Sequence, residues 1–405
     1  MPISNLFTNV EIVNSYPTED LNYFLDQPVW KNLSNEVIEF LDALSKELRD
    51  YNDLRLFPDI AAFAFFCRSA NLQSLVKQYE SDKLVVGRGL IFHLTPSNVP
   101  VNFAFSWVAG LLTGNINIVR LPSETFKQVT IIVEAINKIS GTGAFIRVLK
   151  RSLFIRYDKH TQATKKISAI CDIRIIWGGD SKIFDIRKFP LKAKSYDIPF
   201  SDRYSLSVLH TDGFYPGYNF AKLAKLMYND ALINDQNACT SPHLILWIGP
   251  EHLSRDIRLH LWSELNKLVE ERLQQQSNIA LDKLNAFCIQ SNKLKIKRLE
   301  PFENNNLWFV ELLELKPGLE EFRCHSGYFL EFFSQNLDDL TTIVNQKYQT
   351  LCYFGFEREL LIEHLSNLQL SGIDRVVQIG RGQEFSLFWD GYDLVRMLTR
   401  AVDVN

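Results

Sequence analysis

Cys239 stands in NDQNACTSPHLILW (234–247), between an amide-rich turn and an apolar run that reads as a strand. A thiolate there could attack a carbonyl and form a thioester, still electrophilic enough for a second attack. The same residue also reads as a small core hydrophobe. Attack on a carbonyl creates an oxyanion that needs preorganised donors, usually a backbone N–H and a side-chain amide. Asn98 in TPSNVP offers an amide at the carboxyl end of a strand, between Pro96 and Pro100, although asparagine is also an ordinary turn former. His243, four residues after Cys239, and His210, ending YSLSVLH, are candidate bases. On a strand, however, residues near 239 and 243 need not face one another. Gly178 and Gly179 in WGGDSK could open a helix N-terminus to a phosphate, yet two glycines in such a turn are commonplace.

The bulk composition narrows the field. At 405 residues the chain exceeds one ordinary core and suggests two domains. Hydrophobic residues at 46% and charged residues at 22% describe a globular protein. A formal charge of -3 leaves no basic excess to neutralise phosphates, which argues against a nucleic-acid partner. The six cysteines (67, 171, 239, 288, 324, 352) show no C-x-x-C spacing, so neither a zinc cage nor a disulfide framework is expected. No basic n-region precedes an apolar stretch at the N-terminus, and VPVNFAFSWVAGLLTG is too short and too interrupted to span a bilayer. The expectation is a soluble, cytoplasmic protein with no membrane span and no metal.

The elements that must position these residues follow from periodicity. Residues 32–80 read as helical, with Val37, Ile38, Phe40, Leu41, Leu44 and Leu48 at spacings of three and four, and Cys67 as core. From residue 85 the pattern becomes strand (LIFHL), helix (NFAFSWVAGLLTG), strand (INIVRL), helix (TFKQVTIIVEAINKIS) and strand (CDIRIIWGG). That rhythm predicts a parallel sheet with crossover helices, with ligands at the loops leaving the strands' carboxyl ends. A second α/β unit begins near Ser205 with the strand YSLSVLH, the helix NFAKLAKLMYNDA, the Cys239 stretch, the strand HLILWIG and a long helix from Glu251 to Gln275. CHSGYFLEFFSQNLDDLTTIVNQKYQTLCYFGFE follows as strand, helix, strand.

Taken in order, three segments resemble the aldehyde dehydrogenase superfamily, and within it the long-chain fatty acyl-CoA reductase (LuxC-type) family. LTPSNVPVNFAFSWVAGLLTGNINIVRLPSE is similar to the superfamily's strand, Pro-x-Asn, helix, Gly-Asn, strand, Pro-Ser-Glu segment. DQNACTSPHLILW is similar to its catalytic-cysteine segment, and VVQIGRG followed by WDGYDLVRMLTR to the C-terminal signature of the acyl-CoA reductases. The match runs from about Gly87 to Arg400. It implies an aldehyde-dehydrogenase-like α/β fold with three parts. Residues 1–204 would hold the N-terminal helices and a dinucleotide-binding domain, 205–365 a catalytic cysteine domain, and 366–405 a segment packing back on the first domain.

The resemblance further implies that Cys239 is the nucleophile. Asn98 and the Cys239 N–H would form the oxyanion hole, on a loop held by Pro96 and Pro100. Arg120, Ser123 and Glu124 would lie near the adenosine ribose, and Gly178, Gly179 and Ser181 near the dinucleotide phosphates. The implied activity is NAD(P)H-dependent reduction of an acyl-CoA or acyl-carrier thioester to an aldehyde. An acyl-protein synthetase partner and a homo-oligomer come with the family. Two departures sharpen this. Hydrolytic relatives carry a glutamate before the catalytic strand; here IPFSDRYSLSVL has no Glu and only Asp202 nearby. Its absence favours a reductase, because activated water would waste the acyl-enzyme. Arg120 stands where the superfamily usually has Lys, which suits the 2′-phosphate of NADPH, although Glu124 would repel that phosphate and NADH stays open. The competing readings are a cofactor-independent cysteine acyltransferase or thioesterase using His243 or His210, and a non-catalytic binding module.

Overall fold

The computed structural model describes residues 9–14, 21–81, 83–96, 99–158, 161–272, 277–301 and 304–404. The chain forms two compact units, residues 1–201 with 385–405, and residues 202–384. The expected boundary at residue 365 therefore moves to Glu384, for a reason given with the second sheet below.

The first unit is built on five parallel strands: β1 (Leu90–Leu94), β2 (Ile116–Arg120), β3 (Ser152–Arg156), β4 (Ile173–Trp177) and β5 (Tyr196–Phe200). They lie in the order β3-β2-β1-β4-β5, and Glu11–Ile12 adds an antiparallel edge beside β3. The chain thus runs outward one way from β1 and then returns to run outward the other way. A switch point results between β1 and β4, the place where open parallel sheets open a ligand crevice. Strands β3 and β5 were not read from the sequence. SLFIR is short and bounded by Arg151 and Arg156, while YDIPF carries a proline and an aspartate. β5 tolerates both because it is the sheet edge, and Asp197 takes Arg174 of β4 bidentately at 2.7 and 3.0 Å.

Helices α1 (Asn35–Arg49), α2 (Pro58–Phe66), α3 (Ser69–Gln78), α4 (Asn102–Leu112) and α5 (Lys127–Gly141) lie in the same unit. The six apolar residues expected on one face of α1 are all buried, and Phe40 meets Trp107 of α4 edge-on at 6.0 Å. Cys67 is buried in this core, and burial pushes its thiol up. The Gly-Asn pair after α4 has a physical reason. Gly114 has φ +76, and a Cβ there would lie 2.2 Å from the Trp30 carbonyl. Asn115 accepts the N–H groups of Arg88 and Gly89 and donates to the Leu398 carbonyl at 2.9 Å. Thr399–Val402 then pairs antiparallel with Leu84–Gly87, which fastens residues 385–405 to this unit. In WDGY, Asp390 (φ 49) and Gly391 (φ 74) form the tight turn of the Phe388–Trp389/Tyr392–Asp393 hairpin.

The second unit is a seven-stranded sheet. Its strands are β6 (Tyr204–His210), β7 (Pro242–Ile248), β8 (Ile296–Pro301), β9 (Trp308–Leu312), β10 (Tyr328–Ser334), β11 (Tyr348–Phe354) and β12 (Arg375–Gln378), ordered β8-β9-β10-β7-β6-β11-β12. All pairings except β8–β9 are parallel. β12 pairs with β11, and this is what keeps residues 366–384 in the second unit. Helices α7 (Phe220–Ala231) and α8 (Glu251–Arg272) follow β6 and β7; α6 (Asp180–Arg187) belongs to the first unit. Glu331 on β10 is fully buried and compensated. Its carboxylate accepts from Trp247 (2.8 Å), Trp262 (2.9 Å) and Arg258 Nε and Nη2 (2.8 and 2.6 Å).

His93 on β1 is fully buried between Ser106 Oγ (2.8 Å) and Asn117 Oδ1 (3.0 Å). Burial pushes its imidazole down to about 4, whereas an unfolded histidine titrates near 6.5. Between those values only the unfolded chain takes up the proton. The stabilisation is therefore complete above pH 6.5 and is lost as pH falls towards 4, by roughly 3 kcal/mol. Urea unfolding at pH 7, 5.5 and 4.5 should show that slope, and His93→Asn should flatten it. An unchanged slope in His93→Asn would locate the proton uptake elsewhere.

Candidate active site

Cys239 lies in the turn entering β7, at the amino ends of the parallel strands, and is half-buried. Three neighbouring strand starts hold it. The hydroxyl of Ser205, second residue of β6, donates to the Cys239 carbonyl at 2.7 Å and accepts the Thr350 N–H of β11 at 3.2 Å. Gln349, second residue of β11, is buried and points its Nε2 at Cys239 Sγ, 3.3 Å away.

The turn itself is strained. Asp235 (φ 51) and Gln236 (φ 56) are consecutive left-handed residues with side chains, a conformation ordinarily left to glycine. The buried Gln236 amide holds them there. Its Oε1 accepts the N–H groups of Gly327 (2.6 Å) and Tyr328 (3.0 Å), and its Nε2 donates to the carbonyls of Pro242 and Tyr328 (both 3.2 Å). All of the amide's main donors and acceptors are used, and the cysteine turn is stapled to the amino end of β10. Asp235 adds a bond from Ser326 Oγ at 2.8 Å.

The VVQIGRG motif forms the other flank. Asp230, near the end of α7, accepts the N–H groups of Gly380 (2.6 Å) and Gly382 (2.8 Å). Arg375 donates to the carbonyls of Gly382 (2.8 Å), Arg381 (3.0 Å) and Glu384 (2.6 Å). Gly382 needs its hydrogen, because a Cβ would come within 3.0 Å of the Asp230 carboxyl and 3.2 Å of Cys352 Sγ. Gln383 completes the link, donating to the Asp230 carbonyl (2.6 Å) and to Ser241 Oγ (3.2 Å), two residues after Cys239. The motif is thus a clasp around the cysteine turn. Gln236, Gln349, Asp230 and Arg375 were not picked out from the sequence. A glutamine inside the quoted motif was the available signal for Gln236, and an aspartate buried on the apolar face of α7 for Asp230.

Neither histidine is placed as a base for Cys239. His243 is buried, its Nδ1 bonded to the Cys324 carbonyl at 3.0 Å and its ring stacked on Tyr204. Burial, with Arg323 and then His325 adding to it, pushes its imidazole down to about 3. His210 ends the seven-residue β6 at the opposite edge of the sheet, about 20 Å from the amino ends. Asp202 is ion-paired with Arg323.

The nucleotide candidates lie in the first unit. Pro96 follows β1, and Asn98 lies outside the described residues, so its side chain is not placed. Thr95 Oγ1 donates to the Arg120 carbonyl at 2.6 Å, joining the ends of β1 and β2. The Arg120 guanidinium lies over the Tyr157 ring at 4.7 Å, with long bonds of 3.4 Å from Nη2 to Ser123 Oγ and the Tyr157 carbonyl. Its Nε is buried with no hydrogen-bond partner among the described residues. Ser123 and Glu124 are exposed. At β4, Lys182 of α6 donates to the carbonyls of Trp177 (3.0 Å) and Thr95 (3.3 Å), bridging the switch point. A Cβ on Gly178 would strike this lysine at 2.6 Å, whereas Gly179 faces open space and Ser181 is exposed. The orphaned Arg120 Nε at the end of β2 and the open glycine turn at the head of α6 each fit an anionic dinucleotide. Among the described residues no three His, Cys, Asp or Glu side chains could hold a metal, and no helix is long and apolar enough to cross a membrane.

If the Gln236 staple fixes the turn, Gln236→Leu strands buried N–H and C=O groups and should destabilise the second unit by about 2–4 kcal/mol. Alkylation of Cys239 should quicken as the turn opens. Unchanged denaturation midpoints and alkylation rates would remove Gln236 from this role.

Comparison with known proteins agrees with this architecture. Residues 31–401 match the family model described as acyl-CoA reductase (LuxC). A long-chain acyl-protein thioester reductase of Vibrio harveyi is 25% identical over 323 residues, 78% of this chain and 63% of that protein, so the chain spans less than two thirds of that relative. Lactaldehyde dehydrogenase from Escherichia coli superposes with a TM-score of 0.60 at 11% identity, over 91% of this chain and 85% of that one. A Thermus 1-pyrroline-5-carboxylate dehydrogenase with bound NAD gives 0.61 at 12% identity, over 94% and 82%. These likenesses establish an aldehyde-dehydrogenase-like fold. By the extent of the family match, the chain belongs to the acyl-CoA reductase (LuxC) family.

Proposed function

We propose that the protein reduces an acyl thioester, carried on CoA or an acyl carrier, to an aldehyde through an acyl group held on Cys239. The observation that carries this is the built turn around Cys239. A half-exposed thiol is fixed at the amino ends of β6, β7 and β11 with an amide hydrogen bond to its sulfur. Family membership and the name of the Vibrio harveyi relative supply the substrate class.

The Cys239 thiolate attacks the carbonyl carbon of the thioester, and the oxyanion is held by the Cys239 N–H and the Asn98 amide. The tetrahedral centre collapses, the bond to the carrier sulfur breaks, the carrier leaves as its thiolate and takes its proton from solvent, and the acyl group stays as a thioester on the Cys239 sulfur. A bound NADPH or NADH would supply a hydride to that carbonyl. The residues that would hold it are Arg120, Ser123 and Glu124 at the ribose and Pro96, Gly178, Gly179 and Ser181 along the dinucleotide. Arg120 Nε is the donor that favours NADPH. The resulting thiohemiacetal expels the Cys239 thiolate and releases the aldehyde.

Deacylation by water is disfavoured because residues 198–209 hold no glutamate and Asp202 is engaged by Arg323. The cysteine hydrolase reading loses support from the positions of His243 and His210. The family reading brings an acyl-protein synthetase as a donor partner, and self-association.

The test is incubation with acyl thioesters of graded length, with and without NADPH or NADH. Mass spectrometry should find an acyl adduct on Cys239, and trapping should find aldehyde only with cofactor. Cys239→Ala should abolish both, and aldehyde persisting in that variant would sink the mechanism. Asn98→Ala should lower turnover about 10²–10³-fold with little change in cofactor affinity. Unchanged turnover would remove Asn98 from the oxyanion hole.

A further inference from the structure

Resting on that reading of Cys239, we infer that Gln349 is a further catalytic residue, whose amide N–H holds the Cys239 sulfur in its thiolate form in place of a histidine base. The geometry is specific. Gln349 Nε2 lies 3.3 Å from Sγ, a proper distance for a donor to sulfur. At the other end of the amide, Thr350 Oγ1 donates to Gln349 Oε1 at 3.1 Å. With the oxygen accepting there, an N–H of the same amide meets the sulfur. Gln349 and Thr350 are strand residues, and the Thr350 N–H is tied to Ser205, the residue that also holds the Cys239 carbonyl. The donor and the sulfur's backbone are therefore anchored to the same point.

Charge around the turn works the same way. Arg375 pairs with Thr350 across β11–β12, and its guanidinium interacts electrostatically with Cys239. The other ionisable groups near this region include Asp230 on α7, Cys352 on β11, Glu384 after the glycine turn, Asp235 with His325 and Lys283 near it, and His243 with Arg323 near it. Asp230 is occupied by the Gly380 and Gly382 N–H groups, which partly offset its charge. His243 is held neutral by burial. Gln349 is the donor aimed at the sulfur, while Arg375, bonded to the carbonyls of Gly382, Arg381 and Glu384, adds a positive charge nearby.

A donor hydrogen bond favours the charged sulfur over the thiol, by an amount equal to about one to two pH units for a bond to a charged group. Once the sulfur is acylated it carries no charge and the bond weakens. Gln349 therefore serves the two moments when Cys239 is anionic: before attack, and as the aldehyde leaves.

The experiment is the pH profile of Cys239 alkylation by iodoacetamide, read on its own peptide by mass spectrometry. The exposed Cys288 serves as internal reference. In Gln349→Leu the Cys239 midpoint should rise by about one to two pH units. In the near-isosteric Gln349→Glu, where a carboxylate faces the sulfur, it should rise further. Cys288 should not move in either variant, and a match of thermal midpoints to the wild type separates this from misfolding. In the reductase assay kcat at neutral pH should fall and recover at higher pH, with KM for the cofactor unchanged. An unshifted Cys239 midpoint in both variants overturns the inference even if the wild type makes aldehyde. A shifted midpoint in a protein that makes no aldehyde upholds the thiolate pocket and overturns the reductase reading instead.

Discussion

The side-chain amide of Gln236 is the constraint on which the cysteine turn depends. Two consecutive left-handed residues cost about 1–3 kcal/mol each. The four hydrogen bonds of Gln236 return about 0.5–1.5 kcal/mol each. The two sums are comparable, so the turn is held only where β7 and β10 already lie side by side to supply the partners. Its shape is a property of the assembled sheet and not of the local sequence. A thiol carried on such a turn is fixed by the fold's own hydrogen-bond ladder, the preorganisation that the proposed nucleophile would need.

The first unit solves a related problem with a cation. Doubly wound sheets splay at the switch point, and the loops on either side must be fixed without filling the crevice. Lys182 does this by bonding to the carbonyls that end β1 and β4. Its aliphatic chain occupies the space a Cβ at residue 178 would need, which explains the first glycine of the pair. The second glycine faces open space, so its value lies in leaving the head of α6 accessible.

Much of this was legible in the sequence. The strands from Leu90, Ile116, Ile173, Tyr204 and Pro242 begin within a few residues of the places periodicity assigns them. They are mostly apolar and almost entirely buried, which sets them apart from the polar turns around them. Strands β5, β8 and β12 were missed because edge strands face solvent and tolerate Pro, Lys and Arg, which erases the pattern. The interior β3 and β9 were missed as well: the LFI of SLFIR sits between two arginines and a serine, and WFVEL follows the polar run ENNN, so neither stands out among its neighbours. The segment carrying Cys239 was read from motif order, but the residues that pack around it were not. Gln349 is 110 residues away and Arg375 further still, and what brings them close is the β6-β11-β12 order, which no local pattern encodes. The VVQIGRG motif was legible as a signature without its physical reason, the Asp230–Arg375 clasp, because that clasp joins a helix to a distant turn.

The placement of Cys239 at the amino ends of its sheet also limits the histidines near it: His243 on β7 is buried and bonded to the Cys324 carbonyl, and His325 before β10 is bonded to Ser326 beside Asp235. Flexible loops leave a parallel strand at its carboxyl end, and His210 lies at that end. At the amino ends the side chains on offer belong to the first residues of strands, whose backbones are locked in the ladder: Ser205, Pro242, Tyr348 and Gln349. Such residues are rigid donors and make poor proton shuttles, which must reorient as protons move. A cysteine tolerates this setting better than a serine would. Its sulfur needs far less help to ionise, so a fixed amide and a nearby guanidinium can stand where a serine nucleophile would need a base. An acyl group on sulfur also resists stray hydrolysis when no base is at hand to activate water, and it can wait for a hydride. A turn built from fixed donors is therefore compatible with the proposed reduction of an acyl group held on Cys239.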